Sequence, residues 1–315
     1  MRQPPGTTHN PGMTRRSFIA LTATSLLAGD LRAQALQAPR AGRVERLAHF
    51  PSRHVDARHV EVWLPPGYDP AGRRYAVLYM HDGQMLFDAT TTWNRQAWNV
   101  DVVAARLMAE GRTRDFIVVG PWNNGRYRHA EYFPARFLPH LPQSFRQDFV
   151  ARSLHGRSRS DDYLRFLVDE LKPAIDARYA TRPERAHTLL LGSSMGGLVS
   201  AYALCEHPRV FGGAACLSTH WIGSFQRNDL VPRAAVAYLR GALPDPADVR
   251  LWMDRGTREL DALYDRAQPR IDALMAEKGF VVGPRYQTRV YPGSGHNEAD
   301  WSRRLHEPLA FLLGP

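Results

Sequence analysis

Short apolar runs alternate with stretches of helical period along most of the chain, and this alternation predicts its fold. Four continuous apolar runs have the length and composition of strands that are buried on both faces: 75–80, 116–119, 188–191 and 213–217. Patterns of period two at 43–50 and 58–64 instead predict two half-exposed strands that form an antiparallel edge. Two further strands are expected at 250–253 and 286–291.

Helical patterns separate these predicted strands. They cover about 97–109, 161–177, a stretch from 195 onward, 231–239, 259–278 and 298–313. Strands that alternate with helices along a chain typically form a parallel sheet covered by helices on both faces. The pattern therefore predicts an α/β fold with a mostly parallel central sheet and an antiparallel N-terminal edge.

Residues 126–160 show no clear period. The stretch contains seven arginines, several prolines and the aromatic pair Tyr132 and Phe133. Because it is too long for a simple connection between two elements, we expect an insertion or cap that contacts a substrate. The rest of residues 36–315 reads as one domain, so this insertion would belong to a single catalytic unit.

The first 35 residues have the features of an export signal. The sequence TRRSFI at 14–19 matches a twin-arginine motif, an apolar run follows, and AQA at 33–35 supplies a cleavage site. The apolar run is too short to span a bilayer. We expect a signal peptide at 1–35 and a periplasmic or secreted protein without stable membrane insertion. A retained anchor is the alternative, and Met13 is an alternative start.

Composition excludes several classes of function. The 315-residue chain carries a net charge of +10, but its arginines are scattered and accompany no nucleic-acid-binding motif, so no nucleic-acid partner is expected. Its two cysteines, Cys205 and Cys216, lie on apolar stretches and lack the spacing of metal ligands. We therefore expect neither a metal nor another cofactor.

The chain is organised around the sequence GSSMG at 192–196. It follows a predicted buried strand and opens a predicted helix, which is the context that a nucleophile elbow requires. The serine stands on a sharp turn, so the positions two residues away must lack side chains. A glycine-rich turn is the alternative interpretation. The context favours Ser194, rather than Ser193, as a catalytic nucleophile.

A serine nucleophile needs a base, and His296 is placed to serve as one. It follows the last predicted strand, at the sheet edge where the carboxyl ends of parallel strands meet. His220 also follows a strand and is assigned to the pocket wall. Six further residues that follow strand ends or lie in the insertion are expected to contact substrate: Trp122, Asn123, Asn124, Arg126, Tyr132 and Trp221.

Several motifs together resemble the esterase D and enterochelin-esterase-like group of α/β-hydrolases. They are HDGQ at 81–84, GSSMGG at 192–197, Gly256-Thr257, and Gly295-His296 followed by Trp301. The resemblance spans most of residues 43–313 and implies an α/β-hydrolase fold. It also implies an oxyanion hole made by the backbone N–H of Met195 and that of Gln84, because the residue after Asp-Gly supplies the second donor in this group.

The acid that orients His296 should follow the strand at 250–253, where Asp254, Glu259 and Asp261 compete. The resemblance favours the last two. In some relatives the acid stands three residues after the glycine, which implies Glu259. In others, with a Gly-Thr-x-x-Leu-Asp segment, it stands five residues after it, which implies Asp261. We expect Asp261 to be the acid and Glu259 to be the alternative.

These residues predict an exported serine hydrolase that cleaves carboxylic esters through an acyl-enzyme. The resemblance suggests siderophore, feruloyl or acetyl esters, so the partner would be a small-molecule or polysaccharide ester. Acyl transfer to a sugar or alcohol is an alternative, since it differs only in the access of the acceptor. A non-catalytic binding protein on a hydrolase scaffold is the alternative from another class. The sequence leaves the ester and the oligomeric state open.

Overall fold

Eight strands form one sheet in the computed structural model, which describes residues 39–315. The order across the sheet is β1-β2-β4-β3-β5-β6-β7-β8. The strands are β1 Arg43–Phe50, β2 Arg58–Leu64, β3 Ala76–Met80, β4 Phe116–Pro121, β5 Thr188–Ser193, β6 Gly213–Leu217, β7 Arg250–Arg255 and β8 Tyr286–Val290. The predicted signal peptide at 1–35 lies outside the described residues.

Strand directions follow the prediction, with one difference at the edge. β1 pairs antiparallel with β2, β2 pairs antiparallel with β4, and all other neighbours are parallel. β1 is half exposed as expected, but β2 is almost wholly buried, since it lies between β1 and β4. The predicted α/β class with an antiparallel N-terminal edge is confirmed, while the half-exposed character of the second strand is wrong.

Ten α-helices lie in the described part of the chain. They are α1 Val100–Ala109, α2 Arg128–Tyr132, α3 Gln143–Ser153, α4 Ser160–Arg165, α5 Lys172–Arg178, α6 Met195–Glu206, α7 Leu230–Ala242, α8 Ala267–Glu277, α9 Glu298–Arg304 and α10 His306–Leu313. A π-helical segment, Phe166–Leu171, joins α4 to α5. Within residues 39–315 no helix is long and apolar enough to cross a membrane.

Two apolar cores cover the two faces of the sheet. Along β3, Val77 and Tyr79 point into one core, while Ala76, Leu78 and Met80 point into the other. Successive side chains of a strand alternate between faces, so a strand buried on both sides reads as a continuous apolar run. The central strands thus have continuous apolar sequences because helices pack against both faces of the sheet.

The stretch at 126–160 is helical and belongs mainly to the larger core. It contains α2, a 3₁₀ segment Ala135–His140, and α3. Its aromatic side chains Phe133, Phe137 and Phe149 are buried in that core. Each short helix buries only one to three side chains, which explains why the sequence shows no period. Only its first residues reach the cavity described below.

The segment at 259–278 also differs from its prediction as one helix. A 3₁₀ helix covers Glu259–Tyr264, and α8 begins only at Ala267. Residues three apart eclipse each other in a 3₁₀ helix, so Asp261 and Tyr264 project from the same side. This change of geometry places both side chains at the carboxyl edge of the sheet.

Candidate active site

Ser194 occupies a strained turn between β5 and α6. Its backbone has φ 56° and ψ −122°, a conformation that costs non-glycine residues on the order of 1–3 kcal/mol. A Cβ on Gly192 would lie 2.5 Å from the carbonyl carbon of Gly196, so the turn closes only without a side chain there. The Ser194 N–H donates to the Leu217 carbonyl at 2.9 Å and ties the turn to β6.

A cavity of about 840 Å³ opens over this turn. It lies at the carboxyl ends of the parallel strands, where ligands of α/β sheets bind. Its lining includes groups from the loops after β3, β4, β5, β6, β7 and β8: Asp82, Gln84, Met85, Trp93, Asn94, Gln96, Trp98, Asn123, Gly125, Arg126, Arg128, His129, Ser193, Ser194, Met195, His220, Phe225, Glu259, Leu260, His296, Asn297, Glu298 and Trp301.

His296 is held against a buried carboxylate. Its Nδ1 lies 2.5 Å from Asp261 Oδ1. The imidazole packs edge-on between the rings of Tyr264 and Trp301, with centroids 5.9 Å and 4.9 Å away. With Nδ1 engaged by the carboxylate, Nε2 is the nitrogen left for proton transfer.

Asp261 has no exposed surface and is hydrogen-bonded on both oxygens. Its Oδ2 accepts from Ser218 Oγ at 2.6 Å and from the Gly256 N–H at 2.5 Å, while Oδ1 faces His296. A buried carboxylate needs such partners to offset the loss of water. Its orientation toward the imidazole is therefore fixed by the fold.

The other two candidate acids have different partners. Glu259 Oε2 accepts from the His296 backbone N–H at 2.8 Å, so it contacts the loop and not the ring. Asp254 pairs with Arg304 at 2.8 Å and accepts from the Trp252 indole at 2.9 Å. Burial raises the pKa of Asp254, although the Arg304 charge opposes that shift. The structure thus brings Asp261, and neither alternative, to the imidazole nitrogen.

The Ser194 hydroxyl rests beside Tyr264. In the described residues no hydrogen bond joins Ser194 Oγ to His296 Nε2, although both residues line the cavity. The Tyr264 hydroxyl lies 2.7 Å from His220 Nδ1. Burial raises the pKa of Tyr264, an effect that the Asp261 charge reinforces and a hydrogen bond with Ser194 opposes. Burial and the nearby His296 lower the pKa of His220, so both partners stay neutral.

Two backbone N–H groups near Ser194 have no acceptor in the described part of the chain. They belong to Met195, the first residue of α6, and to Gln84, within the 3₁₀ turn Gly83–Met85. The turn forms because Asp82 adopts a left-handed conformation, φ 59°, and Gly83 packs against the Gly120 carbonyl, where a Cβ would come within 2.1 Å. Such paired donors suit an oxygen that gains negative charge.

Asp82 and Arg128 form an ion pair beside this turn. Arg128 Nε and Nη2 donate to Asp82 Oδ1 and Oδ2, each at 2.7 Å, and Asn123 Nδ2 adds a third bond at 2.7 Å. Burial alone would raise the pKa of Asp82, but the charge and hydrogen bonds of Arg128 lower it overall. The same pairing outweighs burial and raises the pKa of Arg128.

The expected substrate-contacting residues divide into two groups. Asn123, Arg126 and His220 line the cavity. The four others do not line it and have structural partners instead. Trp122 packs on His59 and Arg46, Asn124 donates to Asp56, Tyr132 packs on His81 and Tyr163, and Trp221 donates to Gln268. Tyr132 and Trp221 are fully buried, because neighbouring helices cover them.

The sequence argument missed two aromatic side chains at the cavity rim. Trp93 is 85% exposed and Phe225 is 80% exposed, yet both line the cavity. A tryptophan and a phenylalanine within polar loop sequence were the available signals. Glu298, also missed, lines the cavity and accepts from Asn94 Nδ2 at 2.6 Å. The described residues contain no cluster of histidine, cysteine and acidic side chains that could hold a metal ion.

Comparisons with known proteins bear on this site. A family model described as "Putative esterase" matches residues 53–312. An endo-1,4-beta-xylanase/feruloyl esterase of Xylanibacter ruminicola is 24% identical over 276 residues, which cover 86% of this chain and 31% of that protein. The chain thus spans about a third of that relative. The uncharacterised protein YbbA of Bacillus subtilis is 22% identical, with 82% of this chain and 93% of that protein covered.

Solved structures show the same fold. A ferulic acid esterase superposes with a TM-score of 0.61 and 23% identity, covering 86% of this chain and 98% of that one. The enterobactin esterase of Shigella flexneri, solved in the presence of enterobactin, gives a TM-score of 0.64 and 18% identity over 88% of this chain and 60% of that one. The predicted α/β-hydrolase fold is confirmed.

Proposed function

This chain belongs to the putative esterase family of carboxylic ester hydrolases, and on that premise we propose that it cleaves esters through an acyl-enzyme on Ser194. In this proposal Ser194 Oγ attacks the ester carbonyl while His296 Nε2 takes its proton. His296 then returns that proton to the departing alcohol, and water repeats the sequence on the acyl-enzyme. Asp261 holds the imidazole and stabilises its charged form.

The observation that carries this proposal is the contact of 2.5 Å between the buried Asp261 and His296, which lines the same cavity as the strained Ser194. A base oriented by a buried carboxylate is what a hydroxyl nucleophile needs. Ser194 Oγ and His296 Nε2 line one cavity but share no hydrogen bond in the described residues, so in this proposal that bond forms when substrate binds. Catalytic hydrogen bonds often tighten only when substrate is bound.

The developing oxyanion would be bound by the N–H groups of Met195 and Gln84. Both groups lack an acceptor in the described structure, so they are free to donate to the oxyanion of the substrate. In water-excluded sites one such donor contributes about 100- to 1000-fold to the rate.

For the substrate we propose an ester that carries an aromatic group and a negative charge. Trp93 and Phe225 expose aromatic rings at the rim, where planar groups can stack. Arg126 lines the cavity and is exposed. Relatives include proteins named for feruloyl esters, and one structure holds sinapinate.

We further propose export through the twin-arginine route. The support is the motif at 14–19, followed by an apolar run and a cleavage site. Replacement of Arg15 and Arg16 by lysine should leave the precursor in the cytoplasm, as cell fractionation would detect. Unchanged export of that double variant would contradict the route.

The nucleophile is tested by Ser194→Ala. The change should lower kcat by roughly 10⁴- to 10⁶-fold, as removal of a triad serine does, and abolish labelling by a fluorophosphonate probe. Ser193→Ala, a change at the buried residue just before it, is the matched control and should keep both properties. A Ser194→Ala enzyme that kept a tenth of its activity would overturn the assignment.

A further inference from the structure

The loop that carries Gln84 is held from outside the sheet by one arginine. Asp82 precedes Gly83 and Gln84 directly, so the position of its carboxylate fixes the turn that presents the Gln84 N–H. Both carboxylate oxygens are bound by Arg128, and Oδ1 is also bound by Asn123. Asn123 closes the arrangement, because its backbone N–H donates to Gln84 Oε1 at 3.1 Å.

Arg128 is itself anchored through the helix that bears it. Three residues further along α2, Glu131 forms a two-bond ion pair with Arg58 of β2, with both distances 2.8 Å. The side chains of that pair are only 2% and 3% exposed. A rigid connection therefore runs from β2 through α2 to Asp82 and ends at the Gln84 N–H.

We propose that Arg128 is a positioning residue that acts through Asp82 to hold the Gln84 N–H for the oxyanion. The inference rests on the proposed acyl-enzyme chemistry. It gives the stretch at 126–160 a second role, since α2 supports the catalytic loop from the side. It also separates Arg128 from Arg126, which lines the same cavity without a carboxylate partner in the described residues.

Charge balance gives this arrangement a distinctive signature. The guanidinium neutralises a carboxylate that lies next to the place where a second negative charge develops. Removal of Arg128 alone would leave the Asp82 charge unpaired and repel the oxyanion. Removal of both charges would lose the anchor but not add that repulsion.

The experiment compares Arg128→Met, Asp82→Asn and the double variant with a neutral aryl ester. We expect kcat to fall about 100-fold in Arg128→Met and only about 10-fold in the double variant, with KM changed less than threefold in each. Affinity for an aryl trifluoromethyl ketone, whose adduct with serine carries an oxyanion, should fall in parallel with kcat. A role confined to stability would not produce that parallel.

The matched control is the ion pair of Arg46 with Glu61, whose side chains are 26% and 7% exposed against 29% and 11% for Arg128 and Asp82. Arg46→Met removes the same kind of pair from β1 and β2, so it should leave kcat and the affinity for the ketone within twofold. If Arg128→Met fails to fold, kcat and the affinity for the ketone are measured instead for Asp82→Asn and Arg128→Lys.

Two results would overturn the proposal. One is a rise in KM for anionic esters with kcat unchanged, which would make Arg128 a substrate-binding group. The other is an Arg128→Met enzyme with wild-type affinity for the ketone. Either result leaves Ser194→Ala inactive, whereas failure of the acyl-enzyme proposal itself would appear as activity retained by Ser194→Ala.

Discussion

Two buried carboxylates lie on either side of β5, and each is paired with a different kind of basic group. On the base side, which comprises Ser218, Glu259, Asp261, His296 and Trp301, Asp261 faces an imidazole. On the oxyanion side, which comprises Asp82, Gln84, Asn123 and Arg128, Asp82 faces a guanidinium. In the order of the sheet, β3, which leads into the oxyanion side, is next to β5, whereas β7, which leads into Asp261, is separated from β5 by β6.

The two partners differ in whether their charge changes during a catalytic cycle. A guanidinium stays charged at all working pH values, so the Asp82–Arg128 pair can act only as a fixed support. In the proposed mechanism the imidazole gains and loses a proton in each cycle, so the carboxylate beside it would stabilise a charge that is present only part of the time. Removal of each carboxylate should therefore have a different kinetic consequence.

The base side also fixes its carboxylate more completely. Ser218 Oγ donates to Asp261 while it accepts from the Trp301 indole and from Arg304, each at 2.9 Å. Asp261 is wholly buried, whereas the Asp82 side chain is 11% exposed. This difference predicts that the base side tolerates substitution least.

The largest effect is expected at Asp261. Asp261→Asn should lower kcat at least 100-fold with little change in KM, because the imidazole loses both its orientation and the stabilisation of its charge. In the best-studied triad the matching change costs about 10⁴-fold. Initial-rate kinetics on a neutral ester measure it.

Glu259→Gln is the matched control, since Glu259 contacts the backbone of His296 at 2.8 Å rather than its ring. It should cost less than tenfold in kcat. A larger loss in Glu259→Gln than in Asp261→Asn would move the orienting role to Glu259. Small effects in both variants would indicate a catalytic pair of Ser194 and His296 alone.

The sequence predicts the elements and residues whose constraints are local. The elbow at Ser194 is encoded by neighbouring glycines, and His296 by its place after the last strand. The competition between Glu259 and Asp261 could not be settled in this way. An α-helix would make their side chains diverge by about 200°. The structure instead has a 3₁₀ helix that begins at Glu259, whose φ is 54°, and both side chains contact His296, Glu259 at the backbone and Asp261 at the ring.

Partners that meet only through the fold could not be predicted. Arg128 lies 46 residues from Asp82, and no local pattern separates it from its neighbour Arg126. From the sequence, Tyr132 and Trp221 could not be distinguished from aromatic residues that line a pocket. Burial by a helix far along the chain produces no local sequence pattern. Trp93 and Phe225 were missed for the opposite reason, since exposed aromatic rings matter only once their loops face a common cavity.

A smaller effect should separate Arg126 from Arg128 of the oxyanion side. Arg126 is exposed in the cavity without an ion pair in the described chain, so Arg126→Ala should raise KM for an anionic aryl ester about three- to tenfold. Its kcat should stay unchanged, because the interaction is lost equally from ground and transition states. The neutral analogue of that ester is the control substrate. Equal changes with both esters would exclude Arg126 from recognition of charge.

The last comparison concerns the pKa values of two buried histidines. Beside the oxyanion side, burial lowers the pKa of His81 and of His129 to about 4, while the ordinary value is 6.5. The Nε2 atoms of both have no partner in the described chain. Between about pH 4 and 6.5 the unfolded chain thus binds protons that the folded chain does not, so the free energy of unfolding falls as pH drops through this window.

For His81 alone the loss approaches about 3 kcal/mol at the lower end of that window. His81→Gln should therefore flatten the dependence of the free energy of unfolding on pH, as urea denaturation between pH 7 and 4.5 would measure. The same change at the exposed His140 should leave the slope as it is. A slope that His81→Gln does not alter would mean that the buried imidazole takes up its proton without unfolding.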